Sequence, residues 1–248
     1  MVTNSAPAQK LDFRTASKQE IEAYFKSFAT QKLDVYEALR TALTTKHPTR
    51  PTLPVTPKPI YKAPAQDMLP GWTFADVGGA MEGGQKAINV NSFDLYGGGE
   101  DIWARRDQFR FMHRRVMADF DMTVTLNSLA DVNVYSKAGL MLRRSLEPDA
   151  ACALISVFPS GEINAAIRSE AGAEMQGKET KKLGFPMRLR MTGEGSTIKL
   201  YWSKPGQDWT LLSTLDLPGS GGFAGAMALS HDNRQLVKVS YSDLNLRG

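Results

Sequence analysis

Pairs of acidic residues are the first candidates for chemistry, because glycoside hydrolysis needs two carboxyl groups on either side of the bond that breaks. A strand of the form E-x-D-x-E would place its acids on one face, since side chains alternate along a strand. The sequence contains no such strand. Asp119 and Asp121 share a face of an ordinary predicted strand, and the remaining acidic pairs fall in predicted loops: Glu100 with Asp101, and Glu147 with Asp149. We therefore expect that the protein is not an enzyme, and a glycoside hydrolase is the less favoured alternative.

Histidine and cysteine offer few other routes to catalysis or metal binding. His47, His113 and His231 lie far apart and match no zinc motif. The single Cys152 lies in an apolar run, where we expect a small buried side chain. Asp232 and Asn233 are adjacent oxygen ligands that would suit calcium, although a turn is the simpler explanation. We expect no cofactor.

The overall composition argues against disorder and against specific nucleic-acid binding. Hydrophobic residues make up 42% of the 248 residues, and 30 basic residues against 26 acidic ones give a net charge of +4. The basic pairs are scattered, whereas nucleic-acid binders usually concentrate their charge. The first ten residues lack the apolar core of a secretory signal, and no run of about 18 apolar residues follows. We expect a soluble protein made in the cytoplasm, which stays there or leaves as part of a released particle, and no membrane span.

The sequence after Gly71 has the pattern of an all-β fold. Apolar residues alternate with polar ones over 119–126, with Phe120, Met122, Val124 and Leu126 on one face. Two hairpins are predicted, one over 151–167 and one over 187–203, and two late strands over 225–230 and 237–246. About ten short strands without intervening helices predict a sandwich or barrel.

The residues before Gly71 predict a different organisation. Ser17 and Glu20 form a capping box at the start of an amphipathic helix over 18–44. Its apolar stripe must pack on something, either its own sandwich, a second copy or a protein scaffold. Residues 48–70 contain seven prolines, typical of an extended spacer. We therefore divide the chain into an arm and helix (1–47), a linker (48–70) and a β domain (71–248), and the helix residues proposed to bind a partner are Phe25, Phe28, Tyr36 and Leu39.

Several segments in this order resemble one family of β-sandwich proteins. They are Gly71-Trp72-Thr73, Asp101-Ile102-Trp103, Asp107-Gln108-Phe109, residues 137–145, the 203–209 hairpin and residues 225–233. Together they are similar to the "regulation of enolase" type of the concanavalin A-like lectin/glucanase superfamily, over about residues 71–246. Pro205 departs from the family pattern, in which aspartate is common. The resemblance implies a jelly roll of two curved antiparallel sheets, and association with carbohydrate-active modules favours glycan binding.

Within that framework, one strand suggests a binding face. Alternation over 137–145 places Ala138, Leu140 and Leu142 in the core and Lys137, Gly139, Met141 and Arg143 on the other face. Gly139 lacks a side chain and would leave room for a ligand or a neighbouring side chain. The family-like segments add three residues, so that the predicted ligand-binding residues are Trp103, Asp107, Lys137, Arg143 and His231. The alternative is a face filled by its own polar network, with Arg143 bonded to Asp101 or Asp107.

Two functions follow as hypotheses. The first is a non-catalytic, lectin-like module that binds a glycan or polysaccharide and is displayed from an N-terminal helical anchor. The second is a structural or assembly protein, such as a surface subunit of a phage, whose helix and linker dock on a scaffold. Trp72, Trp202 and Trp209 are expected in packing roles rather than as sugar platforms.

Overall fold

The computed structural model describes Ser17, Gln19 and residues 58–64, 66–117 and 119–248. In this part of the chain the fold is all-β, with two antiparallel sheets of seven strands each. The predicted jelly-roll β-sandwich of two antiparallel sheets is therefore confirmed. The helix predicted over 18–44 lies outside the described residues except for Gln19, whose backbone is helical. Its proposed partner-binding residues also lie outside them: Phe25, Phe28, Tyr36 and Leu39.

Each sheet mixes strands from distant parts of the chain. The first sheet consists, in spatial order, of β1 (Thr73–Val77), β4 (Phe109–Val116), β13 (Gly222–Leu229), β6 (Lys137–Arg143), β7 (Cys152–Val157), β8 (Glu162–Arg168) and β9 (Gln176–Lys182). The second consists of β12 (Thr210–Asp216), β11 (Thr197–Ser203), β10 (Met187–Glu194), β5 (Phe120–Leu129), β14 (Val237–Arg247), β3 (Ser92–Gly97) and β2 (Gly84–Asn89).

The main core lies between the sheets and follows the alternation of the sequence. On β5, Phe120, Met122, Val124 and Leu126 all point into it, as predicted. On β6, Ala138, Leu140 and Leu142 do the same from the opposite sheet. Burying a large aliphatic side chain contributes about 1.5–3 kcal/mol, so these strands are held in register by the face they bury.

A second apolar layer covers the outer face of the first sheet. It contains Phe109 and Phe111 of β4, Met141 of β6, and Ile102 from the loop of residues 98–108. As a result the middle strands of the first sheet are covered on both faces, and all seven residues of β6 are buried. The predicted faces of β6 are correct, but the face that carries Lys137 and Arg143 is not an open surface.

Gly139 has a structural role that differs from the one expected. A Cβ built at this position would lie 2.0 Å from the carbonyl oxygen of Ile155 on the adjacent strand, so no ligand-sized gap exists. The backbone φ of 146° also favours glycine. The amide of Gly139 donates to the hydroxyl of Tyr241 (2.8 Å), which donates in turn to the carbonyl of Met227 (2.6 Å). Tyr241 thus reaches from the second sheet across the core to two strands of the first.

The sandwich unit begins before Gly71. Contacts divide the chain into residues 1–57 and residues Lys58–Gly248. Leu69 is buried in the main core, and Tyr61 bridges to Leu236. Part of the segment assigned by its prolines to the linker therefore packs on the sandwich. Among the residues that the structure describes, none forms a helix with the length and apolar character needed to cross a membrane.

Candidate functional site

The loop of residues 98–108 connects β3 to β4 and crosses the outer face of the first sheet. Its backbone forms an isolated bridge between Ile102 and Asp107, and the Ile102 side chain is buried in the outer apolar layer. At the tip of the loop, the carbonyl of Trp103 accepts a hydrogen bond from the amide of Met175, which directly precedes β9 (3.1 Å). The loop is therefore fastened to the sheet by an apolar side chain and by its own backbone.

A buried cluster of three charged side chains holds the base of this loop. Asp107 Oδ2 lies 2.5 Å from Arg143 Nη1, and Asp107 Oδ1 lies 2.7 Å from Arg168 Nη2. All three side chains have no exposed surface. The remaining guanidinium donors bond backbone carbonyls, those of Ser145 and Glu147 for Arg143 and those of Ala104, Ala150 and Ala173 for Arg168. This triad, Asp107–Arg143–Arg168, joins the loops of residues 98–108, 144–151 and 169–175 and leaves none of its side-chain atoms open to a ligand.

Cys152 lies beside the triad and is fully buried. Burial, and then the negative charge of Asp107, raises the pKa of its thiol to about 12. The neutral thiol is a poor nucleophile, in line with its expected packing role.

The structure divides the five predicted ligand-binding residues into three places. Asp107 and Arg143 belong to the triad, in the filled arrangement that the sequence left open as an alternative. Lys137 and His231 lie around Asp101. Trp103 lies farther along the 98–108 loop, over β9.

Asp101 is the centre of the exposed part of the site. Lys137 Nζ lies 2.5 Å from Asp101 Oδ1 and 5.4 Å from the centre of the Phe158 ring, and the Lys137 side chain is buried. His231 Nδ1 lies 3.7 Å from Asp101 Oδ2. His231 has a left-handed backbone φ of 60°, which is uncommon for a residue with a side chain.

Two depressions flank the ridge formed by Glu100 and Asp101. One has a volume of about 570 Å³ and is lined further by Asn133, His231, Asp232, Asn233 and Arg234. The other has a volume of about 510 Å³ and is lined further by Gly78, Trp103, Ala104, Arg106, Asp107 and Gln108. Both volumes fall in the range of about 300–1,000 Å³ that is typical of ligand sites.

One exposed aromatic residue, Trp103, lines the second depression, and another, Tyr135, lies against His231 of the first. The Tyr135 side chain is 58% exposed, and its ring lies 5.2 Å from that of His231. Trp103 is 44% exposed and rests on Gly177, where a Cβ would come within 3.0 Å of the indole. We call the ridge, both depressions and these two rings the Asp101 site. Sequence reasoning missed Tyr135 and Arg168, because neither lies in a recognisable motif. Their partners, His231 for Tyr135 and Asp107 for Arg168, come close only when the chain is folded.

The oxygen atoms of Asp232 and Asn233 are engaged in a turn. Asp232 accepts from the Arg234 guanidinium (2.9 Å), and this hydrogen bond lowers the pKa of the Asp232 carboxyl. Asn233 Oδ1 accepts from the amide of Met81 (2.5 Å). No group of three or more His, Cys, Asp or Glu side chains suited to a metal occurs in the described ranges of the chain.

No family model matches the sequence, and no curated protein matches it. Among solved structures, the fold is similar to a functionally unknown protein from Saccharomyces cerevisiae, with a TM-score of 0.57, 17% identity, and coverage of 73% of this chain and 98% of that chain. Looser similarities are found to the carbohydrate-binding module CBM66 from Bacillus subtilis (TM-score 0.45, 15% identity, 75% and 100% covered) and to the xyloglucan-locus GH43B from Bacteroides ovatus (TM-score 0.49, 15% identity, 77% and 41% covered). The chain thus spans less than half the length of the GH43B protein. At these identities the likeness concerns the fold alone.

Proposed function

We propose that the protein is a non-catalytic carbohydrate-binding protein and that the Asp101 site binds the glycan. The observation that carries this proposal is the pair of depressions, which are lined with hydrogen-bonding side chains, with the exposed Trp103 in the lining of one and the exposed Tyr135 against His231 of the other. Aromatic rings offer apolar faces to sugar rings, while carboxylates, amides and guanidinium groups bond the hydroxyls. Membership of the "regulation of enolase" type family stays a prediction from the motifs of residues 71–246.

The charges of the site favour a neutral sugar. Asp101 is compensated by Lys137, and Asp232 is compensated by Arg234. Glu100, which lines both depressions, and Arg106, which lines one of them, are exposed and carry opposite charges. No charge of one sign dominates, so recognition would rest on hydroxyl groups and ring faces.

The same pairing supports a binding role rather than hydrolysis. A glycosidase needs one carboxyl group as acid and a second as base or nucleophile. Of the carboxylates that line the two depressions, those of Asp101 and Asp232 are each paired with a cation and that of Asp107 is buried in the triad, which leaves only Glu100 without an ion pair among the described residues.

A glycan array of the intact protein, with Trp103→Ala, Tyr135→Ala and the control Val90→Ala, tests this function. Val90 is 91% exposed in the turn after β2, so its truncation removes apolar surface away from the site. Each ring truncation should weaken binding at least about fivefold, as expected for an anchor residue, and the control should not change it. Binding should be equal in calcium and in chelator, because the oxygens of Asp232 and Asn233 are already engaged.

Two results would overturn the proposal. Undiminished binding by both ring variants would place the glycan elsewhere on the molecule. Absence of binding to any glycan, in calcium and in chelator, would contradict carbohydrate binding as the function.

A further inference from the structure

The two exposed rings of the Asp101 site lie far apart on the first sheet. Tyr135 comes just before β6, and its ring lies 5.2 Å from that of His231, which follows β13 on the side of β6 away from β9. Trp103 rests on Gly177 of β9. Because β7 and β8 lie between β6 and β9, the rings are three strand spacings apart, or about 14 Å. A single sugar ring is too short to contact both side chains.

The strand register adds a separation along the strands. Gly177 pairs with Ala166 of β8. Ala166 pairs in turn with Leu154 of β7, and Leu154 with Met141 of β6. The Trp103 ring therefore lies level with Met141, which is four residues beyond Lys137 at the start of β6, or about 13 Å of strand. A ligand that contacts both rings has to extend across the sheet and along it.

The ridge between the two depressions is fixed by the fold itself. The Asp101 carboxylate accepts from the amide of Ile102 (2.7 Å) and from Lys137. The amide of Gln108 donates to the Asp101 carbonyl (2.8 Å), and the Ile102 side chain is buried in the outer apolar layer. A ligand that enters both depressions therefore crosses a ridge that needs no ordering on binding.

The top of the ridge offers oxygen atoms that can accept hydrogen bonds. Both hydrogen bonds to the Asp101 carboxylate end on Oδ1. Its Oδ2 accepts none from the described residues, and the side chain is 33% exposed. Glu100 is exposed and makes no ion pair with any described residue. These two carboxylates can accept from the hydroxyl groups of a sugar that lies between the depressions.

We propose that the ligand of the Asp101 site is a neutral glycan chain of at least three sugar residues. One residue lies in each depression, beside Trp103 or Tyr135, and at least one crosses the ridge over Glu100 and Asp101. This inference rests on the proposed carbohydrate binding and adds the length of the ligand. A monosaccharide would occupy one depression and contact one ring.

Isothermal titration calorimetry of the intact protein with sugars of increasing length tests the proposal. The probes are the cello-, xylo-, manno- and inulo-oligosaccharide series, each from the monomer to the hexamer. In at least one series we expect the affinity to rise at least about tenfold from the monomer to the tetramer, because the longer chain contacts both rings and the ridge.

Variants of the rings and of the ridge separate a bound chain from a single bound sugar. Trp103→Ala and Tyr135→Ala should each weaken tetramer binding at least about fivefold, and the two losses should multiply in the double variant because the rings share no contact. With the monomer as the probe, no more than one of the two variants should lose affinity. Glu100→Gln should weaken tetramer binding about threefold. The matched control Glu194→Gln removes the same charge from an exposed side chain of β10 in the second sheet and should not change binding.

The outcomes distinguish this proposal from the proposed function. A melting curve verifies that each variant is folded. Equal affinity for monomer and tetramer, with a loss in one ring variant only, would overturn the chain and leave a sugar site in one depression. Absence of binding to all four series, together with binding to charged glycans on the array, would also overturn it. Absence of binding to every glycan of the array would contradict carbohydrate binding as well.

Discussion

The imidazole of His113 lies between the rings of Phe111 and Phe223 on the outer face of the first sheet. Both ring-to-ring distances are 5.2 Å, and the side chain is 4% exposed. Its Nε2 is buried and has no hydrogen-bond partner among the described residues. Burial disfavours the charged form and lowers the pKa of His113 from 6.5 to about 4.

This burial makes the stability of the protein depend on pH. The unfolded chain binds a proton on His113 below pH 6.5, whereas the folded chain does so only near pH 4, so stability falls as pH decreases through that window. The loss reaches up to about 3 kcal/mol. Urea unfolding of the wild type and of His113→Leu at pH 7 and at pH 4.5 measures it. The variant should show the smaller decline, and parallel declines would contradict this assignment.

At the scale of single residues, the sequence predicts the face of a side chain better than its exposure. Period-2 alternation placed Lys137 and Arg143 correctly on the outer face of β6. The same reasoning left two partners open, a ligand or the polar network of the face itself, and in the fold Arg143 meets Asp107 and Lys137 meets Asp101. Alternation describes one strand at a time, whereas exposure depends on whether a distant loop folds over it.

Among the elements of the fold, the 98–108 loop depends most on a single group of charges. Asp107 is the one carboxylate of the buried triad, and it faces two guanidinium groups. Removing one partner of a buried ion pair leaves uncompensated charge and costs about 3–5 kcal/mol. Asp107→Asn should therefore destabilise the protein by that amount in urea unfolding, with faster hydrogen exchange of residues 98–108.

A matched control lies close to the same loop. Arg105 and Glu174 form an ion pair at 2.8 Å, but their side chains are 68% and 60% exposed. Exposed pairs contribute at most about 1 kcal/mol, so Glu174→Gln should change stability by less than that. Similar losses for the two variants would show that the triad contributes no more than a surface pair.

Strands were the best-predicted elements because their signal is local. The two predicted hairpins correspond to β7 with β8 and to β10 with β11, and the two late strands to β13 and β14. The edge strand β9 was not singled out, since all seven of its residues are exposed and it therefore has no apolar alternation. The path of the 98–108 loop also could not be predicted from the sequence, because the triad that fixes it joins residues far apart in the chain.

For the molecule as a whole, the described residues between 58 and 70 pack as part of the sandwich. The Asp67 backbone and carboxylate bond Gln85 and Ala87 of β2, and Leu69 fills part of the main core. Proline content predicted an extended spacer here, and a segment without regular hydrogen bonding can still contribute single side chains to a core.

Chain shortening checks this boundary. A fragment starting at Lys58 contains the whole sandwich and is the reference. A fragment starting at Gly71 should have an unfolding free energy lower by about 3 kcal/mol or more, because it lacks Leu69 and the contacts to β2. Leu69→Ala in the intact protein should reproduce about 2–5 kcal/mol of destabilisation. Equal urea midpoints for the two fragments would show that residues 58–70 are dispensable for the fold.

The way in which the 98–108 loop is fastened has a consequence for how this protein can diversify. Its tip is held through the carbonyl oxygens of Trp103 and Ala104, which accept from Arg168 and Met175, and every amino acid carries such a carbonyl. The side chains that fix the loop, Ile102 and Asp107, are not those displayed at its tip. Residues 103–106 can therefore be substituted while the rest of the fold stays the same. A change of ligand preference, in nature or in a selected library, then requires only a few substitutions.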